Sequence, residues 1–398
     1  SIPNLSNDVY RFIWDGRLLV HGHNPFEHLP LFYLENQVNV PGIDRALFEA
    51  FGSKNTFSSY PPVAQAQFAS ACWLFPNDVL GAVVVMKLWL LACEVGTIFL
   101  ALKLLRRFGL PEKNVLWYAL NPLILLEIMG NLHFEGAMIF FLLLAFWLLA
   151  SFPKSSSRLL SGRKTDVLSA IAFALSVCSK LLTLLFLPFL IKRLGWRRSL
   201  CYFLVVFAVS AALFLPFASA WFLKNFSGSL GLYFQKLEFN ASIYYVLRWV
   251  GFQIKGYNVI ATLAPALGVA AGLGILALAF FERNLSESFK LSERSALAAG
   301  ENNLSESFKL SERWSLPETC LFAFCIYLAC TTTLHPWYLA LPVLLCIFTR
   351  WRFPIVWSGM IFLTYVNYSY SPYRENLCVV ALEYAVVAGW LIFEWRQK

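Results

Sequence analysis

Apolar runs of membrane-spanning character recur along the chain, separated by short polar stretches, at 79–105, 117–129, 136–152, 200–221, 259–281, 319–333, 339–348, 355–370 and 377–395. About 20 helical residues cross roughly 30 Å of hydrocarbon, and a helix satisfies its own backbone hydrogen bonds in lipid. The pattern predicts an all-α polytopic membrane protein. Lys103, Arg106 and Arg107 close the first run and mark its cytoplasmic end, so residues 1–78 are expected outside, as a first extracytoplasmic loop with amphipathic helices. The bundle follows over 79–398, with an outer loop at 222–258 and a cytoplasmic loop at 283–316. The parity closes with a cytoplasmic C-terminus. An outside start then implies an upstream in-to-out span.

One segment breaks the alternation. Residues 167–191 carry Arg163 and Lys164 on one side and Lys192, Arg193, Arg197 and Arg198 on the other. Both ends read as cytoplasmic, which one crossing does not satisfy. Two short helices meeting near "CSKLL" make a re-entrant hairpin, tolerated where its tip is buried in protein or lines a cavity. Lys180 stands at that tip. The cytoplasmic loop holds "NLSESFKLSER" twice, at 284–294 and again at 303–313. Two identical copies argue for a recent local duplication and not for a solenoid, which needs several diverged units; no function is assigned to them.

Composition agrees with the pattern. The chain is 59% hydrophobic and 14% charged, with mean hydropathy +0.61, too few polar groups to cover a soluble surface of this size. The net charge of +9 would suggest nucleic acid in a soluble protein. Here the cations gather at span ends, which excludes that reading. The nine cysteines are scattered, with no CxxC pair, and are expected to pack. The first residues are polar and carry no signal peptide.

The candidate chemistry lies in the polar insertions on the outer side. In "NDVYRFIWDGRLLVHGHNPF" a helix places Asp8, Arg11 and Asp15 on one face, with Val9, Phe12 and Ile13 free to press against lipid or protein. Taken alone, this is an interfacial helix with a solvated charged face. "SSYPPVAQAQ" begins a second loop helix, with Pro61 and Pro62 suited to its first turn. "GNLHFEG" sets Asn131, His133 and Glu135 in a short turn, and "TLHPWY" sets His335 before a proline that interrupts the helix. Polar groups gathered beside a bilayer from several spans are usually functional, since each is costly there.

The segments "DVYRFIWDGRLLVHGHNPF", "SYPPVAQ", "NPLILLEIMGNLHFEGAMIFFLLLAF", "SKLLTLLFLPFL", "FNASIYYVLR" and "HPWYLALP" occur in an order and topology that resemble bacterial polyprenyl-phosphate-mannose-dependent mannosyltransferases of the GT-C superfamily. The likeness runs along most of the chain. The chain departs from that family in lacking the first span and in carrying the duplicated insert. The resemblance implies a GT-C-type bundle in the plasma membrane of a bacterium, with its active site outside. A polyprenyl-phosphate-linked sugar is then the donor and a lipid or glycan the acceptor. By position, Asp8 is the base that deprotonates the acceptor hydroxyl. Arg11, Asp15, Tyr60, Asn131, His133 and Glu135 would support the acceptor or the catalysis, Lys180, Arg248 and His335 would hold the donor phosphate, and Tyr244 and Tyr338 would line the donor site. No metal and no other cofactor is expected.

Alternatives stay open at this level. A multi-pass transporter also places ionisable groups in broken helices, although no inverted repeat is visible and the named groups cluster on the outer side. A GT-C enzyme with another lipid-linked sugar or a protein acceptor fits equally, because sugar choice rests on a few hydrogen bonds. Lys180 has a structural alternative too, a pair with Glu127 or Glu135. Four Asn-x-Ser tripeptides on the expected outer side, at Asn4, Asn225, Asn240 and Asn367, read as possible glycan acceptors.

Overall fold

The computed structural model describes residues 2–36, 38–150, 159–235, 237–298, 305–370 and 374–397. It is 76% helical with no strand among the described residues, so the protein is an all-α polytopic membrane protein. Among the described residues, four helices are long and apolar enough to cross a membrane: Val79–Arg107, Trp196–Phe217, Ile260–Phe280 and Leu377–Arg396. A fifth span is possible if Ile124–Gly130 and Glu135–Ala150, bent by 106°, count as one. That angle differs from the antiparallel return expected across "GNLHFEG". A π-helical stretch, Ile124–Gly130, runs into a turn whose Leu132 has a positive φ of 64°. The other expected spans are shorter or interrupted. Residues 117–129 break at Asn121 and Pro122, where Pro122 offers no N–H and Asn121 Oδ1 accepts from Leu123 N at 2.9 Å. After Phe353–Met360 the chain tightens into the 3₁₀ helix Ile361–Ser369.

The chain divides into two compact units, residues 1–101, 124–184 and 200–232 forming one and 102–123, 185–199 and 233–398 the other. In the first unit the opening helix Asp8–Val20 packs on the helix Pro62–Leu74. Pro62 sits in its first turn. Phe12 stacks on Phe68 with centroids 4.6 Å apart and meets Tyr60 and Phe134 edge-on. Gly16 permits the contact, since a Cβ there would meet Phe68 O at 2.6 Å and Cys72 Sγ at 2.7 Å.

The opening helix is therefore not an interfacial helix with a solvated charged face. Arg11 and Asp15 are both buried. The charged face is covered by residues 53–58, as the apolar face is by the second helix. Glu135–Ala150 pairs with Leu159–Ser179 through Ser169 Oγ to Ala145 O at 2.9 Å and Ser176 Oγ to Met138 O at 2.8 Å. The helix ends at Ser179, and after Lys180 the chain continues as the 3₁₀ helix Leu181–Phe186 and the helix Leu187–Leu194.

The second unit holds the spans Ile260–Phe280 and Leu377–Arg396, the shorter apolar helices Leu316–Cys330 and Pro336–Cys346, and the loop helix Ile243–Lys255. Phe239 and Thr333 form a parallel bridge, with Phe239 N to Thr332 O at 3.0 Å and Leu334 N to Phe239 O at 2.8 Å. That bridge lays the "FNAS" and "TLHPWY" motifs side by side. The first repeat copy continues as helix within Ile260–Ala298. The second begins outside the described residues, as does the start of the basic stretch at 151–158.

Candidate functional site

Asp8 opens its helix, where a carboxylate suits the dipole, and its N–H donates to Ser6 Oγ at 3.2 Å. The residue as a whole is partly buried. Burial raises its pKa above the usual carboxylate value, Ser6 and the Lys180 charge pull it back, and the Glu135 charge pushes it up again. Three segments far apart in sequence thus share one electrostatic neighbourhood. Lys180, at the helix break, forms an ion pair with Glu135, which is almost wholly buried. Of the two partners the sequence offered Lys180, Glu135 takes it here.

The "GNLHFEG" turn builds the adjoining polar cluster. Asn131 Nδ2 donates to Glu127 Oε2 at 3.1 Å, and Asn131 Oδ1 accepts from Leu5 N at 3.4 Å, fastening the N-terminal residues to the turn. His133 Nε2 lies 3.5 Å from Glu127 Oε2. Gly136 lets the next helix close in, because a Cβ there would stand 2.7 Å from Ile128 Cγ2 and 3.0 Å from Glu94 Oε1. Glu94 and Glu127 are buried carboxylates beside the named groups. Glu94 was not singled out in the sequence because it lies inside an apolar run. Tyr60 packs edge-on to Phe12 and Phe68, at 5.0 and 5.5 Å.

Arg11 and Asp15, expected to support the acceptor or the catalysis, are engaged by protein groups in the first unit. Arg11 Nε and Asp15 Oδ1 are 2.9 Å apart. Arg11 Nη1 donates to Ser53 O and Thr56 O, each at 3.0 Å. Asp15 Oδ2 accepts from Ser58 Oγ and from Gln65 Nε2, the latter at 3.2 Å. This buried network ties the opening helix to the 53–58 loop and to the second helix. Ser58 and Gln65, its other members, gave no signal in sequence beyond polarity.

The remaining named residues lie in the second unit. The half-buried His335 ring is sandwiched between Phe239 and Trp337, with centroids at 4.9 and 4.4 Å, and meets Tyr338 edge-on. Arg248 pairs with Glu238 and stands 4.4 Å from the Tyr245 ring. The Tyr244 hydroxyl donates to Glu238 Oε1 at 2.6 Å, and burial, with that carboxylate, pushes its pKa above the usual range. Glu238 was overlooked; its spacing of six from Tyr244 and ten from Arg248 is not a helical register, and only the loop's path joins them. Two of the glycan-acceptor readings fail. Asn240 and Asn367 are fully buried, with Asn240 Nδ2 held by the Glu383 carboxylate at 3.1 and 3.2 Å and Asn367 Oδ1 accepting from Asn376 N at 2.9 Å.

Fold and site together define an integral membrane protein that gathers carboxylates and a lysine from loops and broken helices. Residues 1–195 match the family model described as alpha-(1→6)-mannopyranosyltransferase, N-terminal domain. Over that stretch the chain is similar to this GT-C type mannosyltransferase family, which supports a glycosyltransferase. No curated protein and no solved structure matches the chain.

Proposed function

We propose that the protein transfers a mannosyl residue from polyprenyl phosphate to a hydroxyl of a lipid or glycan acceptor, with inversion, at the extracytoplasmic face of a bacterial inner membrane. The observation that carries this reading is the Asp8 carboxyl, raised in pKa and set within electrostatic reach of the Glu135–Lys180 pair. A raised carboxylate is a stronger base than a free one, and a base contributes typically about 10²–10⁴-fold to rate. Asp8 takes the acceptor proton. The acceptor oxygen attacks the anomeric carbon as the bond to the phosphate oxygen breaks, and the lipid phosphate leaves with both electrons of that bond. A β-linked donor then gives an α-mannoside, and the alpha-(1→6) linkage in the family description supports a 6-hydroxyl as the attacking group.

The leaving phosphate gains charge and needs a cation aimed at it. Lys180 supplies that cation by exchanging Glu135 for phosphate. Transfer of radiolabel from polyprenyl-phosphate mannose into extracted lipids or glycans by the reconstituted protein tests the proposal. Release of an α-linked product supports it. Transfer from a nucleotide sugar, with none from the lipid donor, overturns it.

A further inference from the structure

The loop helix Ile243–Lys255 has two unlike faces. Its inner side carries Tyr244 and Arg248, both engaged with Glu238. Its outer side carries Ile243, Val246, Trp249 and Ile254, with Trp249 65% and Ile254 72% exposed. The spacing of three, three and five keeps these side chains on one broad face.

What covers that face follows from where the inner side is seated. Tyr244, Tyr245 and Leu247 pack with Ile260, Leu263 and Leu267, the first two turns of the span Ile260–Phe280. At about 1.5 Å rise per residue, Leu267 lies ~10 Å along the span from its start. The helix therefore leans on the flank of the span and does not stand above its end. The connection enforces this. Gly256, at φ 75°, stops the helix, Asn258 Oδ1 accepts from Ile260 N at 3.0 Å to start the span, and Gly251 admits Val259, which a Cβ would meet at 2.5 Å. Whatever surrounds the first two turns of the span also surrounds the outer face of the loop helix.

We propose that Ile243–Lys255 is an interfacial membrane helix whose outer face is seated in the headgroup and upper acyl layer, with a phospholipid monolayer as its partner. Its side chains match that environment. Trp249 is of the kind that collects at the membrane–water boundary, and the stem of Lys255 at the C-terminal end reaches along apolar surface while its ammonium stays wet. The inference uses only the membrane character of the protein and stands apart from the transfer reaction proposed above.

A fluorescent amino acid placed singly at 246, 249 or 254 tests it. The full-length protein is reconstituted in phosphatidylcholine–phosphatidylglycerol nanodiscs and exposed either to shallow doxyl-labelled phosphatidylcholine or to aqueous iodide. These positions are exposed, so the label displaces no core contact, and an unchanged melting temperature confirms the fold. The expected result is loss of emission with the lipid-borne quencher and little loss with iodide, the reverse of a label at Arg45, whose side chain is 69% exposed. Stronger quenching by iodide at 246 and 249 overturns the proposal. Protection from both quenchers overturns it too, since a protein surface then covers the face.

Discussion

Asp8 and Asp15 stand seven residues apart on one side of the opening helix and have opposite surroundings. Asp15 is fully buried, paired with Arg11 and hydrogen-bonded by Ser58 and Gln65. Asp8 is only partly buried, bonded locally to Ser6, and feels Lys180 and Glu135 from two other segments. A carboxylate whose oxygens are both engaged by protein donors holds structure. One with capacity left over, and a pKa raised toward working pH, is suited to accept a proton. Residue type and helical face are the same, so the difference in surroundings comes from what packs over each end.

The largest expected effect is on turnover. Asp8→Asn keeps shape and removes basicity, and should lower mannosyl transfer by about 10²–10⁴-fold while the melting temperature in detergent stays put. Asp15→Asn should do the opposite. It leaves the Arg11 guanidinium buried without its counter-charge, which costs about 3–5 kcal/mol, read as a lower thermal midpoint, while the protein that remains folded keeps its specific activity. If Asp15→Asn melts normally and loses turnover, the two roles exchange.

Gly16→Ala should destabilise by about 1–3 kcal/mol through overpacking, because the added methyl meets the Phe68 carbonyl and the Cys72 sulfur. Cys72 is itself buried, its thiol pushed up to about 12, so it should resist alkylation in the folded protein and react once Gly16→Ala loosens the helix pair.

The smallest effects are on pH dependence. As the proposed base Asp8 would work ionised, so activity should rise with pH through its raised pKa, placing the acid limb of kcat/KM above the ordinary aspartate value of about 3.9. Lys180 lowers that pKa and Glu135 raises it. Lys180→Met should move the limb to higher pH and Glu135→Gln to lower pH, whatever either does to the amplitude. Limbs that move the same way, or do not move, would detach Asp8 from the pair.

Much of the architecture follows from local rules. Transfer of apolar side chains into lipid depends only on residue type, so the four long spans were legible as apolar runs. The proline-led start of the second loop helix and the break beside Lys180 were legible for the same kind of reason, since proline chemistry and the cost of a cation amid apolar neighbours are read over a few positions. The opening helix with Asp8, Arg11 and Asp15 on one face was visible as well. What covers that helix was not. Its amphipathic pattern predicts one buried face, and both are buried because residues 53–58 and 62–74 close over it from outside its own sequence.

Tertiary structure alone decided that Lys180 meets Glu135, 45 residues away, that Glu238 collects Tyr244 and Arg248, and that the "GNLHFEG" turn opens to 106°. Hydropathy is a property of each segment by itself, whereas an ion pair or a crossing angle belongs to two segments at once. The sequence therefore determined which side chains are too costly to stand alone beside a membrane, and only the packing of distant segments decided which of them share a charge.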